Sequence, residues 1–82
     1  MIRHVEIDPL ALHALITSQQ IRYGGNQHLK IYGTLKCASG KRMNKQNRVF
    51  FKDEAEAVAQ GYRPCGHCLR QAYRVWRAER QS

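Results

Sequence analysis

The sequence predicts an α+β fold: a small antiparallel or mixed sheet flanked by helices, with a core thin enough to need a staple. Three observations lead there. First, 82 residues with 43% hydrophobic and 24% charged side chains form one small folded domain rather than a disordered tail or a multidomain enzyme. Second, short apolar runs bounded by Gly, Pro and Asn alternate with stretches whose apolar residues recur every three or four positions. Third, the chain carries three cysteines, an odd count that disulfides alone do not satisfy.

In chain order, Ile2, Val5 and Ile7 lie among polar neighbours and fit either a short strand or an extended lead-in. Asp8 is suited to cap a helix and Pro9 to occupy its first position, and Leu12, Leu15 and Ile16 then share one face, predicting a helix over residues 9 to 19. Ile21 to Tyr23 and Leu29 to Tyr32 read as two strands around a turn made by Gly24, Gly25 and Asn26. A polar, basic connection runs from Gly33 to Asn47 with Cys37 inside it. Arg48 to Phe51 is a short strand with an apolar face. Asp53, with Glu56 three residues on, is a capping-box variant that opens a brief Ala-rich helix, and Gly61 stops it. A tight turn from Tyr62 to Cys68 leads into a last helix. Its apolar stripe is Leu69, Ala72, Tyr73 and Trp76, while Arg70, Arg74 and Arg77 occupy a different face.

The formal charge is +8, from 14 Lys and Arg against 6 Asp and Glu, which favours a polyanionic partner. Its placement is uneven. From Arg22 to Lys52 the chain holds Lys30, Lys36, Lys41, Arg42, Lys45 and Arg48 with no acid between them, and Asp53, Glu54 and Glu56 follow together. Arg63 and the arginines of the last helix add a second basic block. The N-terminal apolar residues are interrupted by Arg3, His4, Glu6, Asp8 and Pro9, and no apolar run is long enough to cross a bilayer. The expectation is a soluble cytoplasmic protein that makes no use of a membrane, in a compartment where cysteines stay reduced.

Cys65 and Cys68, two residues apart, place both thiolates on one Zn²⁺ from a single turn. Cys37, separated from Cys65 by 27 residues, is far enough away to return through a strand and a helix and close the site. Structural zinc takes four ligands, and the fourth stays open among His4, His13, His28, His67, water and an acid. His28 is the best placed, ahead of the Cys37 segment, whereas His67 lies inside the bite of the cysteine pair and diverges from the ion. The same Cys-Gly-His-Cys string occurs in disulfide oxidoreductases, but the pair opens a helix early in such folds and only 14 residues follow Cys68 here.

Asn47, Arg48, Val49, Phe50 and Phe51, then Glu56 and Ala57, then Gly61, Tyr62, Arg63, Pro64, Cys65 and Cys68 resemble the metal-binding domain family of the Ada DNA-repair protein. The whole chain, residues 1–82, is expected to be one such domain, with the resemblance strongest over residues 21 to 70. It implies a small sheet flanked by helices, a zinc ion held by four cysteines, and approach to the DNA backbone. In that family the first cysteine also accepts a methyl group from a methylated phosphate. Aligning Tyr32 to Cys37 with the family's two-cysteine segment puts Cys37 on the second cysteine and Gly33 on the first, so the methyl-accepting position has no nucleophile.

The resulting expectation is a zinc module, not an enzyme, that binds nucleic acid through phosphates, DNA rather than RNA. The contacts would come from Lys36, Lys41, Arg42, Lys45, Arg48, Arg63, Arg70, Arg74 and Arg77. Two other readings are carried: a structural zinc module whose basic surface meets an acidic protein, anchored by Tyr73 and Trp76, and an alkyl-accepting repair protein that uses Cys37.

Overall fold

The computed structural model describes residues 1–36 and 44–81. Its centre is a five-stranded sheet in the order β1-β4-β2-β3-β5. The strands are β1 (Ile2–Arg3), β2 (Tyr23–Asn26), β3 (Ile31–Thr34), β4 (Arg48–Phe51) and β5 (Arg63–Pro64). All neighbours are antiparallel except β3 and β5, which run parallel, so the sheet is mixed. Among the described residues three α-helices flank it: α1 (Pro9–Thr17), α2 (Glu54–Ala59) and α3 (Arg70–Gln81). The α+β class read from the sequence is therefore the observed one.

Helices α1 and α2 start where a side chain meets their unpaired N–H groups. The Asp8 carboxylate accepts from the Leu10 and Ala11 amides at 3.1 and 3.3 Å, with Pro9 following as predicted. Helix α1 ends at Thr17, two residues short of expectation, because Gln19 turns into the left-handed region at φ 63°. Asp53 caps α2 by accepting from the Glu56 amide at 2.8 Å, and Glu56 reaches back to accept from the Lys52 amide at 3.2 Å. The chain leaves α2 through Gly61 at φ 85°. The lead-in is a two-residue strand followed by a 3₁₀ turn, His4–Glu6.

The predicted Gly24-Gly25-Asn26 turn is displaced. Both glycines and Asn26 lie in β2, and the reversal falls on residues 27–30. Two local causes place it there. Asn26 Oδ1 accepts from the amides of His28 and Leu29 at 2.9 and 3.1 Å, closing an Asx-type turn, and Lys30 takes φ 57°. Gly25 is needed in the strand itself: a Cβ there would lie 2.9 Å from Phe51 Cε2 and 3.0 Å from the Ile31 carbonyl.

The pleat sorts side chains between two faces. Tyr23, Gly25, Tyr32, Val49 and Phe51 share the inner face, which packs on α2. There Tyr32, Val49, Phe51, Ala57 and Tyr62 form the core, with Tyr23 and Leu69 packed against it. Gly24, Asn26, Ile31, Gly33, Arg48, Phe50 and Arg63 share the outer face through the same registers. Val49, Phe50 and Phe51 are all buried, so β4 is covered on both sides, Phe50 lying under the His4 ring at a centroid distance of 5.4 Å.

Candidate metal centre and cationic sheet face

The Cys65–Cys68 turn is a direct continuation of the sheet edge. The Cys65 amide donates to the Tyr32 carbonyl at 2.8 Å, extending the β3–β5 pairing, and the Leu69 amide returns to the Cys65 carbonyl at 3.1 Å to close the turn into α3. Both sulfurs accept backbone N–H groups: Cys65 Sγ from His67 at 3.4 Å and Cys68 Sγ from Thr34 at 3.3 Å. The thiols converge over the backbone of β3. A Cβ built on Gly33 would stand 2.7 Å from Cys68 Sγ, 3.2 Å from Cys65 Cβ and 4.0 Å from Cys65 Sγ.

Two convergent sulfurs oriented by backbone donors fit half of a tetrahedral thiolate site. Cys37 lies outside the described residues, as do Lys41 and Arg42. Among the described residues no three His, Cys, Asp or Glu side chains gather as a metal site. His28 is exposed on the β2–β3 turn, and the structure does not bring it together with the cysteine pair. His67 is exposed within the cysteine turn and His13 is exposed on α1, while His4 packs against Phe50.

The predicted cations divide into groups. Arg48 and Arg63 flank the outer sheet face. The Arg48 guanidinium carbon sits 5.4 Å from the Phe50 ring centroid, and that of Arg63 sits 5.4 Å from both the Tyr73 and Trp76 rings. Arg63 also donates to the Pro64 carbonyl at 3.2 Å. Tyr73 and Trp76 stack on each other at 5.8 Å and are half-buried, so they form a shelf for Arg63 outside the central core. Arg70, Arg74 and Arg77 are exposed along α3, and Lys36 and Lys45 are exposed beside the described ends of the Cys37 segment. None of these cations forms an ion pair among the described residues.

One polar cluster was not anticipated from the sequence. Glu54, the first residue of α2, accepts from the Tyr23 hydroxyl at 3.2 Å and from the Tyr32 hydroxyl at 3.0 Å. Burial first, and this carboxylate second, push both tyrosine hydroxyls above their ordinary range. The cluster clamps α2 to the inner face. Its sequence signal lay in the hairpin register, which sets Tyr23 opposite Thr34 and Tyr32 opposite Gly25 and so puts both tyrosines on one face.

A five-stranded mixed sheet that ends in a paired-thiol turn defines a small α+β domain. The chain belongs to the family of the metal-binding domain of Ada, whose family model matches residues 17–71. That span covers β2 to β5, all three cysteines and the start of α3, and the family implies zinc as the metal. Searches of curated proteins and of solved structures return no match. Among the described residues no helix is long and apolar enough to cross a membrane.

Proposed function

We propose that the chain is a zinc-held module that binds nucleic acid, DNA rather than RNA, through its phosphate backbone, and that it carries out no methyl transfer. The observation behind it is the run of exposed or half-exposed cations beside the cysteine turn, Arg48, Arg63, Arg70, Arg74 and Arg77, with no carboxylate partner among the described residues. Unpaired guanidiniums next to a structural metal suit phosphate contacts, which position a protein on a strand without reading bases. Zinc would be held by Cys65 and Cys68 together with Cys37, and its contribution is to tie the sheet edge to α3. Family resemblance puts the methyl-accepting cysteine at position 33. Gly33 has no side chain there, and a Cβ built on it would stand 2.7 Å from Cys68 Sγ.

The test is binding of a labelled oligonucleotide across a salt series, with elemental analysis on the same samples. Six or more phosphate contacts predict a loss of about 10³ in affinity between roughly 50 and 200 mM salt. A flat response would overturn the phosphate reading. Zinc content should fall in Cys37→Ser and Cys65→Ser, and His28→Ala distinguishes a protein fourth ligand from water. After exposure to methyl-phosphotriester DNA the mass of every cysteine should be unchanged.

A further inference from the structure

Arg63 differs from the other cations of the basic surface in how it is held. It lies on β5, two residues before Cys65, and lines both an open groove of about 500 Å³ on the outer sheet face and a second of about 440 Å³ beside Gly61. Its guanidinium carbon stands 5.4 Å from the ring centroids of both Tyr73 and Trp76, and the two rings are themselves stacked at an interplanar angle of 27°. Both distances are within the range of cation–ring attraction. Arg70, Arg74 and Arg77, by contrast, are exposed along α3 and make no such ring contact among the described residues.

The sequence builds this support locally. Tyr73 and Trp76 are three residues apart and so share one face of α3, the helix that leaves the cysteine turn next to β5. Both rings are half-buried and lie past residue 71, outside the segment matched to the family. Arg63 donates one bond to the Pro64 carbonyl at 3.2 Å and has no carboxylate partner among the described residues. Attraction to a ring face uses up no N–H group, so most of the guanidinium's donors remain for an anion. A long side chain gives up rotamer freedom when it takes a phosphate, and one already held in place gives up less.

We propose that Tyr73 and Trp76 are positioning residues, whose stacked rings hold the Arg63 guanidinium ready for a phosphate and make Arg63 the strongest single contact of the basic surface. This rests on the nucleic-acid reading above and deepens it.

A double-mutant cycle tests this, read by fluorescence anisotropy of a labelled DNA oligonucleotide with the zinc-loaded full chain at fixed salt. Arg63→Ala should weaken binding about tenfold, more than Arg70→Ala, Arg74→Ala or Arg77→Ala. Trp76→Leu should weaken it about fivefold on its own and have no effect in the Arg63→Ala background, because the ring acts only through the guanidinium. Trp76→Phe, which keeps a ring face, should recover most of that loss. Circular dichroism confirms folding, and if Trp76→Leu is unfolded, Tyr73→Leu runs the same cycle. A Trp76→Leu loss that persists without Arg63 would mean that the ring meets the nucleic acid itself, and overturns the proposal. Unchanged affinity in a folded Trp76→Leu, or an Arg63→Ala loss no larger than those of the α3 arginines, overturns it too, and phosphate binding stands in each case. Absence of binding by the unsubstituted chain overturns both readings.

Discussion

A single methyl group at position 33 would meet the cysteine turn. Its Cβ would sit 2.7 Å from Cys68 Sγ, well inside contact distance, and 3.2 Å from Cys65 Cβ. Gly33→Ala should therefore push the cysteine turn off β3 and break the bond from the Thr34 amide, lowering zinc affinity by about tenfold or more, as losses in the shell around metal ligands do. Competition with a chromogenic chelator measures it; unchanged affinity would mean the turn relaxes freely. His4 offers a second single-residue prediction. Its Nδ1 is buried with no hydrogen-bond partner among the described residues, and burial first, then Lys45 and Arg48, hold its pKa below the ordinary 6.5. Between the folded value and 6.5 the unfolded chain binds more protons, so stability falls as pH drops through that window. Melting temperature should decline as pH drops below the ordinary 6.5, and less so in His4→Phe, which keeps the ring contact with Phe50. At this scale the cysteine pair was legible because two-residue spacing is itself a metal-ligand geometry. Glu54 was not, because its partners Tyr23 and Tyr32 lie 31 and 22 residues away and only the folded register brings them in.

Strand β4 is the element on which the others converge. It lies between β1 and β2, and Val49 and Phe51 face the core while Phe50 is buried on the opposite side. Phe51 is 0% exposed, so Phe51→Ala removes a fully buried ring and should cost about 3–5 kcal/mol. Chemical denaturation followed by circular dichroism would measure that loss, and a change under about 1 kcal/mol would show a site able to collapse. The sequence made β4 and both helix caps readable, since an aromatic run and a capping carboxylate act over a few residues. It misplaced the β2–β3 reversal because Gly-Gly-Asn has the composition of a turn. The deciding facts are that Gly25 must lie under Phe51 in the strand, and that Asn26 closes a turn over residues 27–30, three positions later than composition suggests.

At the scale of the molecule, seven hydrophobic side chains are buried among the described residues, which makes a thin core. A body this size gains much of its stability from whatever binds the native state alone. The α+β class followed from element order, and the five-stranded arrangement with β1 beside β4 did not, since strand order depends on pairings between distant segments. The predicted basic surface lies partly on β4, β5 and α3. Cys37, Lys41 and Arg42 fall outside the described residues, and the outer groove was invisible until the pleat placed Gly24, Gly33, Arg48 and Arg63 on one side.

The parallel β3–β5 pairing carries a kinetic consequence. β2 and β3 meet across residues 27–30, a short loop to close, whereas Ile31 and Arg63 pair across 32 positions of chain, and the cysteine turn sits at the far end of that second pairing. Non-local parallel pairs form late in folding. The metal-binding edge would then dock after the rate-limiting step, and contacts made after that step act on escape from the native state. Zinc should slow unfolding while leaving the refolding rate nearly unchanged. Stopped-flow refolding and unfolding, each with zinc and with chelator, would separate the two rates, and zinc acceleration of refolding would instead place the cysteine turn in the folding nucleus.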